Sequence, residues 1–271
     1  MAQSLYRFGH SLIPNILELA DNPTRTSFQA CPLKDNFFNF EEFVIGSDLS
    51  GKAWQNLLLG LQRQKSPSMD SSISRSVLDY LFCNGNCRIP GGFGQDIAAR
   101  NIQRGRDHGL GSYVDFRKFC DLSIPSNWTT RPEDVLESDW KNLEKVYTRV
   151  EDIDAFPGGL SEHPVPGGIV GPTFACIIGL QFSRLKEGDR FFFTNTNGGL
   201  GFTRGLPGRI RRAIRRRQLG DILCDNTQAE STAEFVMLLS NKVVECAGRK
   251  GRLKYEDMKD YVEIEDRVHG E

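Results

Sequence analysis

The chain has 271 residues, of which 39% are hydrophobic and 25% are charged, and its formal net charge is −1 at pH 7. This length is sufficient for one large domain or two small ones with a complete core. A net charge near zero excludes a general positive field that would attract nucleic acid or anionic membranes, so such a role would have to be local. No uninterrupted run of about 20 apolar residues is present, which argues against a membrane-spanning helix.

The first twenty residues show the periodicity of a helix. One predicted face carries five apolar residues at helical spacing, namely Leu5, Phe8, Leu12, Ile16 and Leu19. His10 lies on a second face that is also apolar, so we expect the helix to be enclosed. Pro14 has no N–H with which to bond the carbonyl of His10, which predicts a kink or a helix restart there. Arg7 and Glu18 interrupt the apolar stretch, so no secretory signal is recognisable.

The rest of the chain is predicted to be mainly α, with short strands at most and no domain linker. In chain order we predict mixed turn and short helix over 21–50, helices over 51–64 and 71–82, a turn-rich loop over 83–94, a helix from about Asp96 whose first part ends at Gly109 and Gly111, a helix over 133–150, a loop over 156–168, a buried helix over 172–188 capped by Gly188, a basic helix over 207–224, and a charged tail past Gly248.

Cysteines and one sequon indicate an oxidising compartment. The chain has seven cysteines, and the "NWT" at Asn127 is a pattern for N-glycosylation. An odd number leaves at least one cysteine without a partner in the chain. Cys83 and Cys87 are close enough in sequence to close a small ring.

The segment "NIQRGRDHG" combines polar groups in an unusual way. On a helix, Asn101, Arg104 and His108 fall on one face. Such a face is either a solvated surface, with Arg104 paired to Asp107, or part of a functional site. By spacing alone, His10 is best explained as a core histidine with satisfied hydrogen bonds.

Together, "DIAARNIQRGRDHGLGSYVDFRKFC" and "YRFGHSLIP" resemble the animal haem peroxidase family. Two further blocks, "GGIVGPTFACIIGLQFSRLKEGDRFFF" and "ILCDNT", follow in the family's order, so the resemblance covers about residues 4–246. It implies a partial peroxidase domain over 1–246, formed by the C-terminal part of a mainly α fold, with 247–271 as a charged tail.

The resemblance assigns roles to individual residues. His10 matches the proximal axial ligand of the iron of haem b, and Asn101 matches the acceptor for its second ring nitrogen. Arg104 matches the arginine that meets a haem propionate. Asp107 and His108 match the motif but have structural roles near the site.

The resemblance also implies disulfide pairs. Cys120 is expected to pair with Cys176, and Cys224 with Cys246, while the Cys83–Cys87 pairing would be local. Cys31 is then the odd one, either a buried thiol or paired outside this chain. The family resemblance implies an extracellular location.

The sequence departs from the family on the distal side of the haem. In the family the distal histidine, the catalytic arginine, the calcium-binding loop and the haem-linking carboxylates precede the proximal histidine by a long stretch, whereas nine residues precede His10. His108, His163 and His269 match no distal role. We therefore expect a partial haem peroxidase that is inactive unless it is joined to its missing N-terminal half. The family's calcium site is expected to be absent from this chain. The intact enzyme would use hydrogen peroxide and a small-molecule or tyrosine-like donor.

Two alternatives remain open at this stage. The chain is either such a peroxidase part or a non-enzymatic secreted module for binding or adhesion that keeps the disulfide-bonded scaffold and lacks haem.

A third interpretation is based on "RIRRAIRRRQ", which has six arginines between residues 209 and 217: Arg209, Arg211, Arg212, Arg215, Arg216 and Arg217. These arginines could bind the anionic groups of a polymer such as heparin or DNA. The near-zero net charge and the lack of interleaved aromatic residues argue against nucleic acid.

Overall fold

The fold was analysed in a computed structural model, which describes residues 5–20, 29–39, 53–83, 94–195, 208–239, 242–249 and 251. The chain is mainly helical, and its described strands form two sheets of two strands each. The predicted fold class is therefore confirmed. The chain divides into two compact units. Unit 1 contains Met1–Ile16, Cys31–Phe40 and Ser66–Leu185, and unit 2 contains Leu17–Ala30, Glu41–Lys65 and Lys186–Glu271.

The described elements follow one another in a fixed order. They are a 3-10 helix at Leu5–Leu12, β1 at Ile16–Leu19, β2 at Gln29–Pro32, a 3-10 helix at Leu33–Asp35, α1 at Ala53–Arg63, α2 at Arg75–Leu78, α3 at Ile97–Asp107, α4 at Tyr113–Phe119, α5 at Glu137–Val146, a 3-10 helix at Val150–Asp152, α6 at Ala155–Leu160, α7 at Pro172–Gly188, α8 at Gly208–Arg216, α9 at Leu219–Asn226, β3 at Ser231–Ala233, β4 at Val243–Glu245 and a 3-10 helix at Cys246–Gly248.

The predicted helix over the first twenty residues is wrong beyond Leu12. The chain forms a 3-10 helix at Leu5–Leu12 and then the strand β1. Pro14 cannot continue a helical hydrogen-bond ladder. The carbonyl of Asn15 instead accepts a bond from the backbone N–H of Leu33 at 2.9 Å, so the chain becomes extended.

Other predicted elements differ in extent. The helices predicted over 51–64 and 172–188 are present as α1 and α7, whereas those over 71–82 and 133–150 shorten to α2 and α5. The basic helix over 207–224 is divided between α8 and α9, and the region 21–50 contains β2 and a 3-10 helix. Most of the predicted tail, from residue 252 onward, lies outside the described residues.

The predicted loop over 156–168 begins with a buried helix, α6. Its glycines are poor helix formers, which is why the sequence indicated a loop. A Cβ on Gly158 would come closer than 3.0 Å to the ring of Tyr113, and one on Gly159 equally close to the ring of Phe174. Packing against these two rings therefore requires glycine and stabilises the helix despite its low propensity.

Unit 1 has two hydrophobic clusters. The first joins the N-terminal 3-10 helix to α6 and α7, and its buried members are Leu5, Met69, Ala155, Phe156, Leu160, Phe174 and Ile177. The second surrounds the start of α4 and contains Tyr113, Val135, Trp140, Leu143, Val150 and Ile153. The side chain of Asp96 caps α3 by accepting a bond from the N–H of Ala99 at 3.0 Å, and Gly109 follows the helix with φ +60°. Ala98 and Ile102 of α3, which carries the "NIQRGRDHG" motif, pack against the first cluster and hold this helix within unit 1.

Unit 2 contains a small sheet and a buried ion pair. Strand β3 pairs with β4 in antiparallel register, with Thr232 opposite Val244. Gln62 of α1 accepts a bond from the backbone N–H of Ala233 at 2.9 Å. Arg249 is bonded to Asp221 at 2.7 Å. Among the helices that the structure describes, none has both the length and the apolar character needed to cross a membrane.

Candidate functional site

His10 and Asn101, which are 91 residues apart in sequence, are in contact in unit 1. The Nδ1 atom of His10 lies 2.7 Å from Nδ2 of Asn101. His10 is half-buried near the end of the N-terminal 3-10 helix, whereas the side chain of Asn101, on α3, is fully buried. The two residues therefore form one polar site between these elements.

The orientation of the Asn101 amide determines which ring nitrogen of His10 carries the proton. With Nδ2 facing Nδ1, the amide donates and the ring proton resides on Nε2. An amide turned by 180° has the same shape and presents Oδ1 as an acceptor. Nδ1 would then donate its proton to Oδ1, and the lone pair of Nε2 would be available to a metal.

Arg7 is a third member of the site, which the sequence did not predict. Its Nη1 atom lies 3.5 Å from Oδ1 of Asn101, a contact that belongs to the orientation in which Nδ2 faces His10. Residues three apart are aligned in a 3-10 helix, which brings Arg7 and His10 to the same side. No spacing in the sequence indicates its contact with Asn101, because the two residues are 94 positions apart.

The environment of His10 favours its neutral form. Burial lowers the pKa of His10, and the positive charge of Arg7 lowers it further, while the hydrogen bond with Asn101 acts in the opposite direction. The net pKa is below the ordinary value, so the imidazole is neutral at neutral pH. A neutral imidazole is the form that can bind a metal.

Ser11 fixes the backbone next to His10, another contact that the sequence did not predict. Its hydroxyl is buried and lies 2.8 Å from the carbonyl oxygen of Asp70 and 3.0 Å from that of Ser68. In return, the backbone N–H of Asp70 donates to the Ser11 oxygen at 3.0 Å. The helix that carries His10 is thereby bonded to the loop before α2.

Arg104 points away from the buried part of α3. Its side chain is 45% exposed, and Nη1 lies 3.7 Å from Oδ2 of Asp107. His108, directly after α3, is also exposed, as is His163. His269 lies outside the described residues. The Arg104–Asp107 contact is the ion pair that spacing alone allowed, and it is too exposed to contribute much stability.

A buried charged network supports α4 in unit 1. Arg117 is 1% exposed and contacts Glu162 at 2.7 Å and Asp134 at 2.8 Å. The hydroxyl of Tyr113 also donates to Glu162, at 2.8 Å. Burial raises the pKa of Tyr113 and that of Glu162. No motif in the sequence indicated that these residues meet.

Two disulfides are present at the pairs implied by the resemblance. Cys120 is bonded to Cys176 in unit 1, and Cys224 to Cys246 in unit 2. The third predicted pair involves Cys87, which lies outside the described residues. Cys31 is a buried thiol whose sulfur accepts a bond from Nδ2 of Asn36 at 3.1 Å.

The sequon asparagine lies on the surface. Asn127 is exposed, and its Oδ1 accepts bonds from the backbone N–H of Thr129 at 2.9 Å and from the Thr129 hydroxyl at 2.6 Å. The amide nitrogen of Asn127 is thus presented on an exposed turn.

Comparisons with known proteins identify the family to which this chain is similar. The family model described as "Animal haem peroxidase" matches residues 1–237. The chain is 36% identical over 258 residues to "Peroxidase-like protein" of Margaritifera margaritifera, covering 89% of this chain and 31% of that protein. It is 31% identical over 250 residues to "Peroxidase-like protein 3" of Lottia gigantea, covering 91% and 74%. It is 30% identical over 275 residues to "Peroxidase" of Drosophila melanogaster, covering 99% and 38%.

Solved structures also match. Peroxidase A from Dictyostelium discoideum matches with a TM-score of 0.62 and 27% identity, over 84% of this chain and 40% of that chain. The chain thus spans less than half the length of that peroxidase and of the Margaritifera and Drosophila relatives.

Proposed function

Because the chain belongs to the animal haem peroxidase family, we propose that unit 1 provides the proximal side of a haem site, with His10 as the axial ligand of the iron. The observation that carries this proposal is the 2.7 Å contact between Nδ1 of His10 and the fully buried amide of Asn101. This contact leaves Nε2 as the ring nitrogen that can bind iron. A ligand histidine with its other nitrogen held by a buried partner is the usual arrangement at metal sites.

The residues around His10 are compatible with a haem. A single imidazole supplies one ligand, so a metal held through it must bring most of its other ligands, as the iron of a porphyrin does. Within the described part of the chain, a Cβ added to Gly9 would meet no atom within 4 Å, so the backbone next to His10 is uncovered on that side. The neutral state of His10, favoured by burial and by Arg7, leaves a lone pair for the iron.

Each polar residue of the site then has a distinct task. Asn101, with its oxygen turned to the ring, keeps the proton on Nδ1 and makes the ligand more electron-donating. Arg7 opposes protonation of His10 through its positive charge. Arg104, whose exposed pair with Asp107 at 3.7 Å is easily replaced, would bind a haem propionate through its planar guanidinium.

We further propose that peroxidase turnover requires residues outside these 271. When bound, haem supplies the two-electron reduction of hydrogen peroxide coupled to oxidation of a donor. That reaction needs a distal base and a nearby cation. The exposed His108 and His163 match no distal position of the family, and the chain spans 31% of the Margaritifera relative. Under this proposal the 271-residue chain binds haem and does not act as a peroxidase alone.

Haem titration of the 271-residue protein tests the axial ligand. We expect a Soret band with a histidine-ligated spectrum, its loss in the His10→Ala variant, and its return when free imidazole is added to that variant. The His163→Ala variant, which removes an exposed histidine, should behave like the unmodified protein. If neither the protein nor its variants change the haem spectrum, the haem proposal is wrong and the non-enzymatic binding or adhesion module is favoured.

We also propose an extracellular location with a glycan on Asn127. The two disulfides and the exposed sequon support it, since both modifications belong to the secretory route. The protein expressed through a eukaryotic secretory pathway should lose mass on treatment with an N-glycosidase, and the Thr129→Ala variant should not. No mass change in the unmodified protein would contradict the glycan.

A further inference from the structure

The basic stretch after residue 207 forms a helix with two different faces. On α8, Arg211, Arg212, Arg215 and Arg216 occupy about 140° of the helix circumference, as calculated from 3.6 residues per turn. These four residues are called the arginine face below. Ile210, which is 1% exposed, lies on the opposite side. The helix is thus attached to unit 2 through its apolar side, while Arg212, Arg215 and Arg216 are exposed and Arg211 is half-buried.

The charges of the arginine face are not neutralised within the described part of the chain. None of its four arginines forms an ion pair there, whereas the arginines near the face do. Arg217 is paired with Asp225, and Arg249 with Asp221. The carboxylates of Asp221 and Asp225 are therefore already occupied. Four like charges within two helical turns repel one another, so an anionic partner stabilises them.

We propose that the arginine face binds a sulfated polysaccharide. Guanidinium groups pair with the oxygens of sulfate and related oxyanions through parallel hydrogen bonds. A flexible chain carrying a sulfate at each repeat can contact successive arginines along one helix face. This inference concerns unit 2 and does not depend on the haem proposal.

Three observations favour this class of partner over other polyanions. The Cys224–Cys246 disulfide, which begins eight residues after Arg216, indicates an oxidising compartment, where sulfated polysaccharides occur and nucleic acids are rare. The segment 208–218 has no aromatic residue on which the bases of a single strand would stack. Since Ile210 is buried in the protein, the helix cannot insert its apolar side into a lipid bilayer.

Binding to heparin at several salt concentrations tests the proposal. Each arginine that neutralises an anionic group steepens the dependence of log K on log salt by about one unit. The variant with all four arginines of the face changed to Gln should bind heparin at least about tenfold more weakly, with a slope shallower by three to four. A control that removes the same charge elsewhere should bind nearly as well as the unmodified protein: Arg75→Gln, Lys141→Gln, Arg149→Gln and Arg184→Gln together.

Further measurements distinguish specific binding at the arginine face from general charge attraction and from misfolding of the variant. Changing the four arginines to Lys keeps the charge and removes the planar pairing, so we expect intermediate affinity, and this variant serves if the Gln variant fails to fold. Equal loss in the control variant would show general charge attraction and overturn the proposal. Equal binding of desulfated heparin, or tighter binding of a DNA duplex or of phosphatidylserine vesicles at the same salt, would also overturn it.

Discussion

Replacing Asn101 with Leu removes the group that holds the second ring nitrogen of His10. The side chain is fully buried and lies 2.7 Å from Nδ1. Loss of such a partner behind a metal ligand weakens metal affinity by about 10- to 100-fold. This corresponds to about 1.4 to 2.7 kcal/mol of haem-binding free energy.

Haem affinity is measured by absorbance titration of the Asn101→Leu, Asn101→Asp and unmodified proteins, with thermal unfolding of each without haem. Asn101→Asp supplies a carboxylate that accepts the Nδ1 proton, so affinity should be retained and the iron reduction potential should fall. Asn142→Leu changes an exposed asparagine of unit 1 and serves as the matched control. Unchanged affinity in Asn101→Leu, with the spectrum still dependent on His10, would show that Asn101 does not orient the ligand.

Three other predictions concern stability and titration. Arg117→Met should destabilise unit 1 by about 3 to 5 kcal/mol, because it leaves the buried Glu162 carboxylate without its cation. Urea unfolding measures the change in the free energy of unfolding, and a decrease of less than about 1 kcal/mol would contradict the prediction. The pKa of Tyr147 is raised to about 12 by burial and by its bond to Asp154. The stabilisation that arises from this raised pKa of Tyr147 is therefore complete below pH 10 and is lost as the pH rises from 10 to 12. Ultraviolet titration of the unmodified protein and of Tyr147→Phe identifies the titration of this tyrosine. A midpoint near 10 would refute the assignment. Replacing the Cys120–Cys176 pair by Ala should cost about 4 kcal/mol and the Cys224–Cys246 pair about 3 kcal/mol, because the bridges span 56 and 22 residues; calorimetry would contradict the chain-entropy reasoning if the order were reversed.

The helices that the sequence predicted well are those formed by a local run of helix-forming residues. The segments at α1 and α7 have continuous helix-forming runs, and both were found with nearly correct ends. The N-terminal prediction was wrong because apolar spacing continued through Pro14, while the strand that follows depends on pairing with residues 29–32. The helix α6 was missed because its glycines are required by the rings of Tyr113 and Phe174, which are distant in sequence.

The candidate site was predictable only in part. His10 and Asn101 were identified through the family resemblance, since neither residue is distinctive by spacing. The full burial of Asn101 and its contact with His10 depend on how α3 packs against the N-terminal 3-10 helix. Arg7 was missed because its contact with the Asn101 amide depends on the same packing.

Ser11 has a consequence for how the neighbourhood of His10 can vary. Its partners in the loop before α2 are backbone groups: the carbonyls of Ser68 and Asp70 and the N–H of Asp70. Every amino acid carries these carbonyls, and every one except proline carries the N–H. The loop therefore tolerates exchange of most side chains at positions 68 and 70, whereas inserting or deleting one residue there moves all three groups away from the hydroxyl. Loop length, more than loop composition, is what keeps His10 in position.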